Sequence, residues 1–131
     1  MRIMCFAAVM MVGFAGSALA ADVSGTWKTA SNDKGYLYVT IAPCGGKTCG
    51  TIADAFSTSG QKDASYKYLG KQIIWDMQAK GGGAFDNGKV WSPAQDKTYP
   101  AKMTLSGDSL EVDGCAAGGL VCRGQTWTRV K

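Results

Sequence analysis

The chain has 131 residues and a formal net charge of +4, and it contains no histidine. Its lysines and arginines are dispersed, without a run of five or six like charges, so nucleic-acid binding is not supported. Catalysis needs acid and base groups held in position. With no histidine, a single glutamate (Glu111) and no phosphate-binding loop or nucleophile elbow, we expect no enzymatic activity and no cofactor.

Residues 1–20 have the features of a cleaved signal peptide. Arg2 gives a positive start, an apolar run follows over residues 3–14, and Ala18-Leu19-Ala20 fits the small-x-small pattern before a cleavage site. The apolar run is shorter than the roughly 20 residues that span a bilayer. We therefore predict a periplasmic or secreted protein, not embedded in the membrane, with one mature domain over residues 21–131.

Four cysteines follow the predicted cleavage site: Cys44, Cys49, Cys115 and Cys122. An even number in a small exported domain predicts two disulfides, and the short spacings favour Cys44–Cys49 and Cys115–Cys122. Each would stabilise the fold by about 2 kcal/mol, because the linked chain has less entropy when unfolded. A zinc site is disfavoured by the absence of histidine, and we expect no bound metal.

Short stretches of alternating residues follow one another along the mature chain. Leu37, Val39 and Ile41 alternate with Tyr38 and Thr40, which is the period-two pattern of a strand with one buried face. The fifth and sixth predicted strands are either two arms of a hairpin or partly loop, which gives eight or nine strands. The predicted strands lie near residues 23–29, 36–42, 48–54, 71–77, 83–86, 89–92, 97–105, 109–114 and 124–130.

Turn residues separate most of these stretches. Asn87-Gly88 is the strongest hairpin signal, because both residues tolerate the positive φ of a tight turn. The polar segment from Phe56 to Leu69 lacks alternation, and we predict either a long loop or a short helix over one barrel end. Sequential hairpins of about eight strands predict an all-β fold, a small up-and-down antiparallel β-barrel. A sandwich of two sheets is the alternative.

The first and last predicted strands each carry a tryptophan, Trp27 and Trp127. These strands become neighbours when a barrel closes, so Arg129 could lie across an indole face in a cation–π contact. Gly25 would let the chain pass close to its neighbour at the corner of the barrel. We predict that these four residues close one end. The alternative is that both tryptophans are ordinary core residues.

A Gly-x-Trp on the first strand and an arginine on the last resemble the lipocalin-like, or calycin, barrels. The wider chain is similar to domain-of-unknown-function family 2147, a family of exported bacterial proteins. The resemblance implies a lipocalin-like barrel and an exported protein, and it implies no particular activity. The matching segments are residues 25–27, 41–50, 96–105 and 114–130.

Barrels of this kind hold small molecules in the lumen. We therefore expect binding of a small apolar or amphipathic ligand. The alternative is an interaction or scaffold protein of the cell envelope, its barrel filled by its own side chains and its protein partners not identified by the sequence. Lumen volume decides between the two. The candidate ligand-binding residues are Leu37, Val39, Trp75, Trp91, Tyr99 and Met103.

Overall fold

The computed structural model of the chain describes residues 22–131. The signal peptide predicted at residues 1–20 lies outside them. No helix in this part of the chain has the length and apolarity needed to cross a membrane. The described residues form eight strands: β1 (Gly25–Lys28), β2 (Tyr36–Cys44), β3 (Lys47–Phe56), β4 (Gln72–Gly81), β5 (Ala84–Ser92), β6 (Lys97–Ser106), β7 (Ser109–Ala116) and β8 (Val121–Arg129). A short 3₁₀ turn, Ala117–Gly119, lies between β7 and β8.

The eight strands form one closed antiparallel barrel in sequence order. Each strand pairs with the next one along the chain, and β1 pairs with β8 through Trp27 opposite Arg129 and Lys28 opposite Thr128. The predicted up-and-down barrel is therefore confirmed, and the sandwich of two sheets is excluded. Closure also leaves the sheet without an edge strand that could pair with another chain.

The prediction of a hairpin turn at Asn87-Gly88 is wrong. Both residues lie inside β5, where Asn87 has a φ of 60° and the pairing with β6 shifts register between Phe85 and Gly88. They form a bulge, which uses the same tolerance of positive φ as a hairpin turn. The chain turns instead at Gly82 and Gly83, with φ values of 65° and 87°. The fifth and sixth predicted strands are therefore one strand.

The connections between strands divide between the two ends of the barrel, because consecutive strands run in opposite directions. The turns at residues 45–46, 82–83 and 107–108 lie at one end, together with the segments before β1 and after β8. We call this the plugged end. The other end, which we call the open end, carries the loops at residues 29–35, 57–71, 93–96 and 117–120.

Residues 57–71 form a long loop that returns along the end of β3, and we call this segment the covering loop. The Asp63 amide donates to the carbonyl of Ala55 at 2.8 Å, and the Gly70 amide donates to the carbonyl of Ile52 at 2.8 Å. Of the two structures predicted for this region, the long loop is the one that forms. Its backbone hydrogen bonds tie both of its halves to the barrel.

The half of the barrel toward the plugged end is filled by its own side chains. Burial of one such apolar side chain contributes roughly 1.5 to 3 kcal/mol, so this half forms the stabilising core. The largest fully buried side chains, each less than 2% exposed, are Trp27, Ile41, Ile52, Ile74, Met77, Met103, Leu110 and Val39.

Arg129 and Trp27 meet at the plugged end. The guanidinium carbon of Arg129 lies 4.4 Å from the centroid of the Trp27 ring, and Trp27 is fully buried. The guanidinium also donates to the carbonyls of Ser24 at 3.0 Å and Asp22 at 2.8 Å, and to the carboxylate of Asp108 at 3.1 Å. One side chain therefore joins the N-terminal segment, the indole and the β6–β7 turn.

Of the other two residues predicted at the closure, Gly25 lies beside the guanidinium of Arg129, whereas Trp127 lines the cavity. Gly25 has a φ of 138°, and a Cβ there would lie 2.6 Å from the carbonyl oxygen of Lys131, so the close approach requires glycine. Trp127 is buried, but its Nε1 donates to the side chain of Gln125 at 2.6 Å. The indole beneath Arg129 is that of Trp27.

Disulfide bonds join Cys44 to Cys49 in the β2–β3 hairpin and Cys115 to Cys122 in the β7–β8 hairpin. Each links neighbouring strands across a short turn. Non-reducing peptide mapping of the protein, purified without reductant, should therefore recover these two linked pairs. A peptide linking Cys44 to Cys122 would contradict the structure, because these residues lie at opposite ends of the barrel.

Replacement of Arg129 by alanine removes both the cation–π contact and the guanidinium hydrogen bonds. We expect Arg129→Ala to lower the free energy of unfolding by about 1 to 3 kcal/mol, measured by chemical denaturation. Lys131→Ala is the matched control, since the exposed Lys131 contributes its backbone carbonyl, which accepts from the Thr26 amide at 2.7 Å. Equal and negligible losses in both variants would show that Arg129 does not hold the barrel closed.

Candidate ligand-binding site

The half of the barrel toward the open end encloses a cavity of about 980 Å³. Small residues line parts of its wall, among them Ala55, Gly114 and Ala116. The interior of an eight-stranded barrel is just wide enough for side chains to fill it or for one small ligand to occupy it. The residues of this half leave part of the lumen unfilled, although Val90 and Tyr99 pack over Gly114.

Strands β7 and β8 form one wall of the cavity through alternate residues, which is the spacing of one strand face. Gly114 lies directly opposite Arg123 in the register, so no β7 side chain covers the arginine at that level. The lining residues on these two strand faces are Val112, Gly114 and Ala116 of β7 and Val121, Arg123, Gln125 and Trp127 of β8.

Aromatic side chains lie where the covering loop meets the rim of the barrel. Tyr68 packs edge-on against Trp91 with ring centroids 4.9 Å apart, and Tyr66 packs edge-on against Tyr68 at 5.6 Å. The Trp91 Nε1 donates to the carboxylate of Asp96 at 3.0 Å. The ammonium of Lys71 lies 4.4 Å from the Trp91 ring centroid. The contacts of Tyr68 and Lys71 with Trp91 hold the covering loop against the barrel. Tyr66, Tyr68 and Trp91 also form part of the cavity wall.

Several buried lining residues are apolar. Ile73, Val112 and Trp127 are all buried and face the cavity. The one polar atom of the Trp127 ring is satisfied, because its Nε1 donates to the Oε1 of Gln125 at 2.6 Å. That same oxygen accepts from the Ala30 amide at 3.3 Å. The floor therefore presents hydrocarbon and an indole face to anything in the lumen.

Basic residues predominate among the charged groups that line the cavity. They are Lys34, Lys67 and Arg123, against the carboxylate of Asp63. In the part of the chain that the structure describes, none of these three cations forms an ion pair. The Ser65 hydroxyl and then its backbone amide donate to Asp63 and lower the pKa of that carboxyl, so it stays ionised at neutral pH. Positive charge remains in excess.

Two tyrosines on the wall also present hydroxyl groups. Burial raises the pKa of Tyr66, and the neighbouring Tyr68 raises it further, so the Tyr66 hydroxyl stays protonated at physiological pH and can donate a hydrogen bond. The Tyr99 hydroxyl already donates to the Oε1 of Gln95 at 2.5 Å. The upper wall thus combines hydrogen-bond donors with positive charge.

Three of the six residues predicted to bind a ligand line this cavity: Leu37, Trp91 and Tyr99. Val39 and Met103 face inward as the alternation predicted, but they are 0% and 1% exposed and belong to the filled half. They cannot contact a ligand in the cavity because the core packs around them.

Trp75, the sixth residue, lies outside the cavity lining and is only partly buried. The predicted alternation of Ile73, Trp75 and Met77 breaks because the register between β3 and β4 shifts between Gly50 and Thr51. Both Ile73 and its neighbour Ile74 are consequently buried, at 3% and 0% exposure. The bulge removes Trp75 from the series of lumen-facing residues.

The lining residues that were not predicted from the sequence include Arg123, Gln125, Tyr66 and Tyr68. The sequence could have indicated Arg123 and Gln125, because they precede Trp127 on β8 at intervals of two residues and so share its strand face. The tyrosines lie in the covering loop, where no periodicity indicates a direction. Within residues 22–131, no group of three or more histidine, cysteine, aspartate or glutamate side chains could hold a metal ion.

Comparisons with known proteins agree with this architecture. The bacterial family described as "Uncharacterized protein conserved in bacteria (DUF2147)" matches residues 25–129. The fold is similar to that of protein HP1028 from the human pathogen Helicobacter pylori, which is described as belonging to the lipocalin family. The TM-score is 0.67 at 17% sequence identity, over 85% of this chain and 84% of that one. The predicted lipocalin-like fold is confirmed. No curated protein matches the sequence.

Proposed function

We propose that this chain, which belongs to the bacterial family DUF2147, is an exported binding protein that takes a small apolar or amphipathic molecule into its lumen. The observation that carries the proposal is the cavity of about 980 Å³ at the open end. Ligand pockets commonly measure about 300 to 1,000 Å³ and are lined by apolar and aromatic groups with a few polar ones.

The arrangement of the lining supports reversible binding without covalent chemistry. Asp63, which accepts hydrogen bonds from Ser65, is the carboxylate on the wall, and the chain contains no histidine. Histidine is the side chain that most often transfers protons in general acid–base catalysis, and none is available here. We therefore propose a binder that is not an enzyme.

Export is part of the same proposal. Disulfides form and persist in oxidising compartments such as the bacterial periplasm, and the four cysteines after the predicted signal peptide are all paired. A periplasmic or secreted carrier would meet lipids, envelope metabolites and compounds from outside the cell.

Reducing the volume of the cavity should weaken binding without unfolding the barrel. Ala116 lines the cavity on β7 and is exposed, so Ala116→Trp places an indole in the space a ligand would take. We expect the affinity for the neutral apolar dye N-phenylnaphthylamine to fall roughly tenfold or more, measured by dye fluorescence. Thermal unfolding should stay close to that of the wild type.

Thr104→Trp is the matched control, because Thr104 is exposed on β6 between the buried Met103 and Leu105 and faces away from the lumen. It should bind the dye as the wild type does. Native mass spectrometry of protein purified from its own periplasm should also show a bound small molecule. Absence of saturable binding across a broad ligand panel would refute the proposal and favour a cell-envelope scaffold.

A further inference from the structure

We infer that the ligand is an amphiphile with one anionic head group, and that Arg123 receives this head group near the mouth of the cavity. The inference rests on the proposed function and specifies the ligand class of the same site. It follows from where the structure places positive charge, free hydrogen-bond donors and apolar surface along β8.

Arg123 is a positive charge on the cavity wall, and Asp63, the carboxylate of the lining, forms no salt bridge with it. It lies on the same β8 face as Gln125 and the buried Trp127, and its register partner is Gly114, which has no side chain. Within residues 22–131 it takes part in no salt bridge. A guanidinium presents a planar fork of N–H donors that matches a carboxylate or phosphate, so an anion in the lumen would find an unpaired partner.

Gln125 adds a donor just below Arg123. Its Oε1 accepts from two N–H groups, the Trp127 ring at 2.6 Å and the Ala30 amide at 3.3 Å. Because both partners are donors, the oxygen must face them, and the NH₂ group of the side chain is left to donate elsewhere. A negatively charged oxygen in the lumen is the complementary acceptor.

The charges around the mouth favour the same sign of ligand. Lys34 and Lys67 line the cavity together with Arg123, and Asp63 is the acidic residue in the lining. Asp63 already accepts hydrogen bonds from Ser65. A concave site lined by one sign of charge raises the local concentration of the opposite ion, so this mouth attracts anions and disfavours cations.

The floor determines the other end of the ligand. Trp127 lies four residues beyond Arg123 on β8, which is about 13 Å farther along the strand toward the plugged end. Ile73 and Val112 are further buried apolar residues of the lining. A molecule that satisfies both levels has its charge near the mouth and an alkyl or similar apolar tail toward the floor. A fully polar anion would place no apolar group against the apolar floor.

The test compares ligands that share a tail and differ in the head: dodecanoate, dodecanol and dodecyltrimethylammonium. Each competes with N-phenylnaphthylamine for the mature protein, at concentrations below micelle formation. We expect dodecanoate to bind about tenfold more tightly than dodecanol, as one charge-assisted contact allows, and the cation to bind most weakly. Added salt should weaken dodecanoate and leave dodecanol unchanged.

Arg123→Gln should remove most of the preference for dodecanoate while keeping the affinity for dodecanol, which also reports that the variant is folded. Lys102→Gln makes the same change of charge at an exposed residue of β6 outside the cavity lining, and it should keep the preference. Equal binding of dodecanoate and dodecanol, with no effect of Arg123→Gln, would overturn the inference while the lumen remains a binding site. Failure of the dye and all three ligands to bind would overturn both.

Discussion

The contact of Arg129 with Trp27 holds together the seam on which the barrel depends. β1 has 4 residues and meets β8 in two residue pairs, Trp27 with Arg129 and Lys28 with Thr128. The ladder is short, so closure also relies on the backbone bonds of Thr26 with Val130 and Lys131, on the cation–π contact at 4.4 Å and on the guanidinium bonds to the N-terminal segment. β8 also carries Arg123 and Gln125. Loss of the seam would therefore remove one wall of the cavity as well as expose two strand edges.

The barrel is filled at one end and hollow at the other. The expectation of a lumen filled by side chains therefore describes one half, and the expectation of an open lumen describes the other. The filled half contains large side chains such as Ile74, Met77 and Met103, all less than 2% exposed. The hollow half has Gly114 and Ala116 on an inward strand face. A close-packed core at one end supplies stability and a rigid floor. The residues that stabilise the barrel are therefore different from those that line the cavity.

The alternation of apolar and polar residues was enough to predict the class of fold, the approximate strands and the pairing of Arg129 with a tryptophan. It failed where pairing between strands departs from regular spacing. The bulges at Asn87-Gly88 and near Ile73 depend on register with neighbouring strands, which a local pattern does not contain, and the second one removed Trp75 from the lumen. Arg123 could have been predicted by extending the spacing from Trp127. Tyr66 and Tyr68 could not, because a loop has no period.

The partnership of the first and last strands also constrains the order in which the protein folds. Arg129 donates to the carbonyl of Ser24 across 105 positions of the chain, whereas the other strand pairs join neighbours in sequence. Local hairpins form with little loss of loop entropy, and contacts of high sequence separation form late. A stretch of the chain that lacks either β1 or β8 contains only one side of the seam. An N-terminal fragment that lacks β8 can therefore build hairpins but not the finished cavity, which forms only once β8 has paired with β1.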